Sequence, residues 1–304
     1  MKRSSAILMP IFSLPSKYGI GTLGKEAYRF IDFLSDAKQS YWQILPVGPT
    51  SYGDSPYQSF STFAGNPYFI DLDLLIKDGL LKRREVESIN WGSREDKIDY
   101  SLIYENRFAV LYQAYRRGFE RDREALTAFK RSNRWLADYA LFMALKRYFG
   151  MKSWIEWEDE EIRLRKPQAV KKYQRLLKDD INFFTYLQFL FFTQWNRLKA
   201  YAAEKHIGII GDVPIYVAMD SADVWANPKN FQLDEKNRQR QEFQHDFHHF
   251  EHQNFRLVDA DFQRRNFVAE DYHARAQQNC DCHDLQHVAF RERRENVRRY
   301  ERRQ

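Results

Sequence analysis

The sequence changes character near residue 238, and that break bounds how much of the chain can share one core. Residues 239–304 contain no Gly, Pro, Ser, Thr, Lys, Ile, Met or Trp, yet hold seven of the eight His and both Cys. They also hold 12 Arg, 9 Gln and 7 Phe. A domain needs turns, and turns draw on Gly, Pro, Asn, Asp and Ser. Here only Asn and Asp remain. Three origins compete: an irregular helical tail, an RNA- or metal-binding appendage, and translation in a shifted reading frame. The exclusion of Lys beside 12 Arg favours the shifted frame.

The overall charge of +6 then needs a location. The tail balances 12 Arg against 12 acidic residues, so the excess sits in the first 238, as 36 basic against 30 acidic residues. That is no concentrated basic patch, and it argues against a nucleic-acid binder. The chain is 43% apolar, enough to form a core and too much for a disordered chain. No run of about 18 apolar residues marks a membrane span. The nearest, 181–195, is interrupted by Asn182, Thr185, Gln188, Thr193 and Gln194, and reads as a buried helix. The apolar stretch 6–12 is short and broken by Pro10, so no signal peptide is expected. Two cysteines, Cys280 and Cys282, give no disulfide framework and fit a reducing compartment, with cytoplasm the default.

Within the first 238 residues, 7–12 reads as a short buried strand. A Gly-rich loop follows, and then Ala27, Phe30, Ile31 and Leu34 fall on one helical face. Residues 41–47 are again strand-like. Strand, helix, strand in that order predicts a parallel α/β unit with a right-handed crossover. Residues 48–67 form a long loop of turn formers and aromatics, and such loops are usually functional. From about 75 to 200 the pattern is helical and charged. Leu141, Leu145, Tyr148 and Phe149 keep helical spacing, as do Phe184, Leu187, Phe191 and Trp195. Residues 206–217 then read as a buried strand ending in a carboxylate.

Asp212 is the first candidate for chemistry, because a carboxylate at the C-terminal end of a barrel strand faces an active site. A turn-forming Asp is the plain alternative. The loop residues Tyr52, Asp54, Tyr57, Phe60 and Phe63 combine flat apolar faces with hydroxyl and carboxyl groups, which suits a sugar. A loop packing its own aromatics is the alternative there. Weaker signals are Gly19-x-Gly21-x-x-Gly24, which spells a dinucleotide fingerprint without the acidic residue that binds a ribose, and Cys280-x-Cys282-His283 with His287, whose spacing fits no structural zinc site. No cofactor and no metal are expected.

The motif Tyr41-Trp-Gln-Ile-Leu-Pro-Val-Gly-Pro-Thr-Ser-Tyr-Gly-Asp-Ser-Pro-Tyr-Gln-Ser-Phe-Ser-Thr-Phe-Ala-Gly-Asn-Pro67 resembles the amylomaltase, or disproportionating-enzyme, family of 4-α-glucanotransferases. So do Tyr18-Gly-Ile-Gly-Thr-Leu-Gly24, Gly211-Asp-Val-Pro-Ile-Tyr-Val217, Ser221-Ala-Asp-Val-Trp225 and Phe231-Gln-Leu-Asp-Glu-Lys-Asn-Arg238. The resemblance covers roughly residues 5–238. It implies an α/β fold, a (β/α)8 TIM barrel with helical insertions, and cofactor-free transfer of α-1,4-glucan segments between maltodextrins. It implies retention through a covalent glycosyl-enzyme, which needs one carboxylate nucleophile and one carboxylic acid. Asp212 matches the family's first active-site carboxylate, which binds the donor glucose. Asp54, Ser55 and Tyr57 match the loop beside the donor and acceptor sites. The partners implied are maltodextrins, with neither nucleic acid nor membrane.

A complete barrel needs about 250 residues, or about 31 per unit. With an insertion on the order of 120 residues, the first 238 hold three or four units, so the barrel is expected to be incomplete in this chain. The family's nucleophile and acid/base motifs are not present in their usual context after Arg238. Asp259 and Glu270, in Val268-Ala-Glu-Asp271, match them only by letter. A catalytically inactive fragment that at most binds glucan is therefore the alternative function. Resequencing the coding DNA across codons 230–250 is expected to reveal a small insertion or deletion; an intact frame with no family-like continuation in the other frames would overturn that origin for the tail.

Overall fold

The computed structural model describes residues 3–231 and Leu233, except Tyr52, residues 93–96 and Ile215. Its sheet is parallel and three-stranded in the order β1 (Ala6–Leu8), β2 (Tyr41–Gln43), β3 (Gly208–Ile210). Ala6 is in register with Tyr41, and Tyr41 with Gly208. All three strands are shorter than the apolar runs predict. The first run gives way after Leu8 to a single 3-10 turn, Ile11–Ser13, because Pro10 supplies no amide hydrogen for a ladder. The third run was expected to be buried, but each residue of β3 is only half-buried. Trp42 anchors the sheet: it is wholly buried, and its indole N–H donates to the Met9 carbonyl at 2.8 Å.

Helix α1 (Lys25–Asp36) joins β1 to β2 and buries Ala27, Ile31 and Leu34, the face its spacing predicts, with Phe30 packed at its margin. It stops where Lys38 takes φ 56° and the Gln39 N–H turns back to the Leu34 carbonyl at 2.9 Å, a Schellman closure. Gly24 at its N-terminus leaves room for the Asp71 carboxylate, which accepts from the Thr22 hydroxyl and the Leu74 N–H. The third glycine of the fingerprint thus admits a carboxylate of this chain against the helix start, the position where a nucleotide phosphate would sit.

Between β2 and β3 lie α2 (Leu72–Lys77), α3 (Arg83–Glu87), α4 (Tyr100–Gly118), α5 (Arg123–Ser132), α6 (Leu136–Tyr148), α7 (Glu160–Arg163), α8 (Pro167–Leu176) and α9 (Lys178–Glu204). The charged run after Trp157 is therefore partly helical: Asp159 caps α7 and Glu160 opens it. Tyr148, expected on the buried face of α6, is 53% exposed at its last turn. Helix α9 has 27 residues and a length of about 40 Å. It packs against α1, α4, α5, α6 and α8 and runs into β3, so one helix serves as axis of the insertion and as crossover to the third strand.

The polar residues that interrupt the apolar run of α9 have work to do. Gln188 is fully buried and makes a reciprocal amide pair with Gly65, accepting from its N–H and donating to its carbonyl at 2.8 Å each. Gln194 does the same for Asp71, at 2.7 and 3.1 Å. From α4, the buried Arg107 donates to the carbonyls of Tyr68 and Ile70. Loss of water pushes its guanidinium pKa down to about 10. Irregular backbone buried at 65–71 thereby finds the partners a strand would have given it. No helix among the described residues is long and apolar enough to cross a membrane. Gln188→Leu leaves both Gly65 groups unpaired and is expected to cost about 3 kcal/mol in denaturant unfolding.

Candidate functional site

Parallel strands deliver their C-terminal loops to the same end of a sheet. β2 leads into residues 48–67, and β3 ends two residues before Asp212. The two meet: the Tyr57 hydroxyl donates to Asp212 Oδ2 at 2.8 Å across 155 residues of sequence. The other carboxylate oxygen of Asp212 accepts from the Val213 N–H at 2.8 Å. Partial burial first, and the Asp212 carboxylate second, push the Tyr57 phenol up to about 12. Tyr57 is therefore a neutral hydrogen-bond donor at any physiological pH. Its ring is 46% exposed, and Tyr216 beyond Asp212 is 63% exposed. The arrangement offers a carboxylate with flat aromatic faces nearby, the chemistry that holds a polyhydroxylated ring.

The loop is a folded-back irregular hairpin. Thr50 bridges Ser59, and the Ser51 N–H donates to the Gln58 carbonyl at 2.9 Å. Gly53 and Asp54 take φ of 85° and 53° at its tip, left-handed values that suit Gly and that Asp tolerates. Ser55 Oγ accepts from the Tyr57 N–H at 3.3 Å and so sets the turn that presents Tyr57. Asp54 lies instead within electrostatic reach of Tyr68 and Tyr100, and burial raises its carboxyl pKa. Of the four candidates, Tyr57 and Asp212 touch, Ser55 supports Tyr57, and Asp54 sits within electrostatic reach of Tyr68 and Tyr100. Phe60, grouped with them by sequence, packs inward on Phe142, and the half-buried Phe63 stacks on Trp135.

Two carboxylates downstream of Asp212 fix its segment, and neither stands out in sequence. Asp220 accepts from Lys146 Nζ at 2.6 Å and from the Trp154 N–H at 3.1 Å. The Lys146 ammonium, buried in α6, spends its two other hydrogens on the carbonyls of Met151 and Lys152. Asp223, in α10 (Ala222–Ala226), accepts from the N–H and hydroxyl of Thr62 at 2.9 and 3.2 Å. A lysine inside an apolar helical face is the one sequence signal that points to such an anchor, since a buried charge needs a partner. Asp259, Glu270 and the Cys280, Cys282, His283, His287 group lie outside the described residues. Among the described residues no cluster of His, Cys, Asp and Glu could hold a metal ion.

The parallel sheet, with a carboxylate and a tyrosine hydroxyl meeting beyond the C-terminal ends of its strands, marks an α/β protein. A sequence profile of the glycoside hydrolase family 77 enzymes, the 4-alpha-glucanotransferases, matches residues 9–238, and this chain belongs to that family. It is 52% identical over 229 residues to the 4-alpha-glucanotransferase of Clostridium butyricum, covering 75% of this chain and 47% of that one. It is 46% identical over 244 residues to the Thermus thermophilus 4-alpha-glucanotransferase, covering 78% and 47%. The amylomaltase of Streptococcus agalactiae, solved in complex with acarbose, superposes with a TM-score of 0.76 at 44% identity, over 78% of this chain and 48% of that one. The chain spans about half the length of the curated relatives it matches. Lys146→Met, which strips three part-buried acceptors of their donor, is expected to lower unfolding stability by about 1–3 kcal/mol, measurable by urea titration.

Proposed function

We propose that this chain acts as a 4-α-glucanotransferase, moving α-1,4-glucan segments between maltodextrins with retention. The observation that carries the proposal is the Tyr57–Asp212 contact, which joins the two family motifs into one carboxylate-and-aromatic wall. Asp212 is the donor-glucose carboxylate in this reading. With both its oxygens accepting hydrogen bonds, it suits holding sugar hydroxyls better than attacking a carbon. Asp54, Ser55 and Tyr57 form the loop beside the donor and acceptor subsites, and the ring of Tyr57 excludes the water that would turn transfer into hydrolysis. Retention would require a nucleophile and an acid about 5–5.5 Å apart across the scissile bond. The three parallel strands and the α9 crossover form the first units of a (β/α)8 barrel, with α2 to α8 as its helical insertion and residues 1–238 as its extent. No cofactor, metal, nucleic acid or membrane enters the reaction, and the enzyme works in the cytoplasm.

A second reading rests on a specific observation: the family match ends at residue 238, where the composition breaks. On that reading the chain binds α-glucan without transferring it. One experiment separates the two. Purified chain incubated with maltotriose is expected to release glucose together with longer maltodextrins, and Asp212→Asn to abolish both. Folded protein that binds maltoheptaose without forming products would establish the binding-only reading. Absence of both binding and products would overturn the glucan assignment itself.

A further inference from the structure

The Tyr57 loop and the Asp212 segment are joined twice. One junction is the Tyr57–Asp212 hydrogen bond. The other is at Thr62 and Phe60: Asp223 accepts from the N–H and hydroxyl of Thr62, and the adjacent Ala222 N–H donates to the Phe60 carbonyl at 2.8 Å. Thr62 is five residues beyond Tyr57, and Asp223 eleven beyond Asp212. We propose that Asp223 is a positioning residue that holds the Tyr57 loop against the Asp212 segment and thereby sets the donor-side geometry of the glucan site. The inference rests on the glucan reading for its meaning but not for its test.

The upstream end of the Tyr57 loop is fixed by β2, and its downstream end by the Gln188 amide at Gly65. The Asp212 segment is fixed by β3 upstream and by Lys146 at Asp220 downstream. All these anchors tie each loop to the sheet or to the helical insertion. The Asp223–Thr62 pair ties the loops to each other, and both carboxylate oxygens of Asp223 are used on one residue. Burial raises the Asp223 carboxyl pKa, and the two Thr62 hydrogen bonds oppose that rise. A carboxylate with both oxygens committed to one residue across a loop-to-loop junction fixes distance and angle there, which an apolar side chain would not.

The test reads the Tyr57 phenol directly. The protein carries 3-fluorotyrosine at position 57, and its titration midpoint is followed by fluorine NMR. Asp212→Asn is expected to lower the midpoint by removing the negative acceptor. Asp223→Ala is expected to lower it by a comparable amount, Asp223→Asn to keep it near the wild-type value, and Thr62→Val to fall between. In parallel, Asp223→Ala is expected to weaken maltoheptaose binding about tenfold, with Tyr57→Phe adding little on top, since removing a well-placed bond to a charge is worth about that much. A midpoint unmoved by Asp223→Ala and Thr62→Val, while Asp212→Asn lowers it, overturns the inference. A midpoint that none of the variants moves overturns the Tyr57–Asp212 contact with it. A midpoint that responds as expected, in a protein with no affinity for maltoheptaose, leaves the positioning role standing and removes the glucan reading. Should Asp223→Ala fail to fold, Thr62→Val alone decides.

Discussion

Everything else in the molecule follows from the pairing of β2 with β3, segments more than 160 residues apart that lie side by side in register from Tyr41 and Gly208. Parallel neighbours cannot be joined by a tight turn, so a crossover must return the chain to the starting end. Here the return leg is α9, and a helical insertion hangs on its length. The pairing also decides where chemistry can happen, because both strands discharge their loops at one end. That shared end is what brings the Tyr57 loop and the Asp212 segment within reach of each other.

A long loop at such a mouth must hold a shape without a ladder of its own. The protein solves this with side chains that imitate strands. Gln188 and Gln194 present amides to the backbone at 65 and 71, and Arg107 presents its guanidinium to two carbonyls between them. Lys146 holds the segment after Asp212 through the Asp220 carboxylate, and from that segment Asp223 serves the backbone N–H of Thr62. The insertion is thus more than an ornament on the α/β unit. Its buried polar groups are the scaffold on which the site loops rest, and each is expensive to bury unless its partner is present.

How much of this was legible depends on the range of the interaction. The apolar face of α1 is a local pattern, and Ala27, Ile31 and Leu34 are buried as the spacing predicts. The 48–67 loop announces itself by its turn formers, and the motifs around Tyr57 and Asp212 identify the family. The strands are shorter than the apolar runs because an apolar run says that a segment is buried and not that it is paired; after the Ile44 N–H donates to the Ile210 carbonyl at 3.0 Å, the chain turns into its loop. Gln188 and Gln194 looked like interruptions in a buried helix. Their function is visible only when the backbone they serve, more than 120 residues away, is in place.

The sequence by itself determined the local elements, the family and the identity of the carboxylate and aromatic residues, since these depend on neighbours within a few turns of chain. The tertiary structure decided which of those residues touch. Tyr57 reaches Asp212, while Asp54, only three residues earlier, acts electrostatically on Tyr68 and Tyr100. It also decided that Asp220 and Asp223, unremarkable in sequence, carry the anchoring. The physical reason is that a hydrogen bond is satisfied by distance and angle in space, and sequence separation says nothing about either.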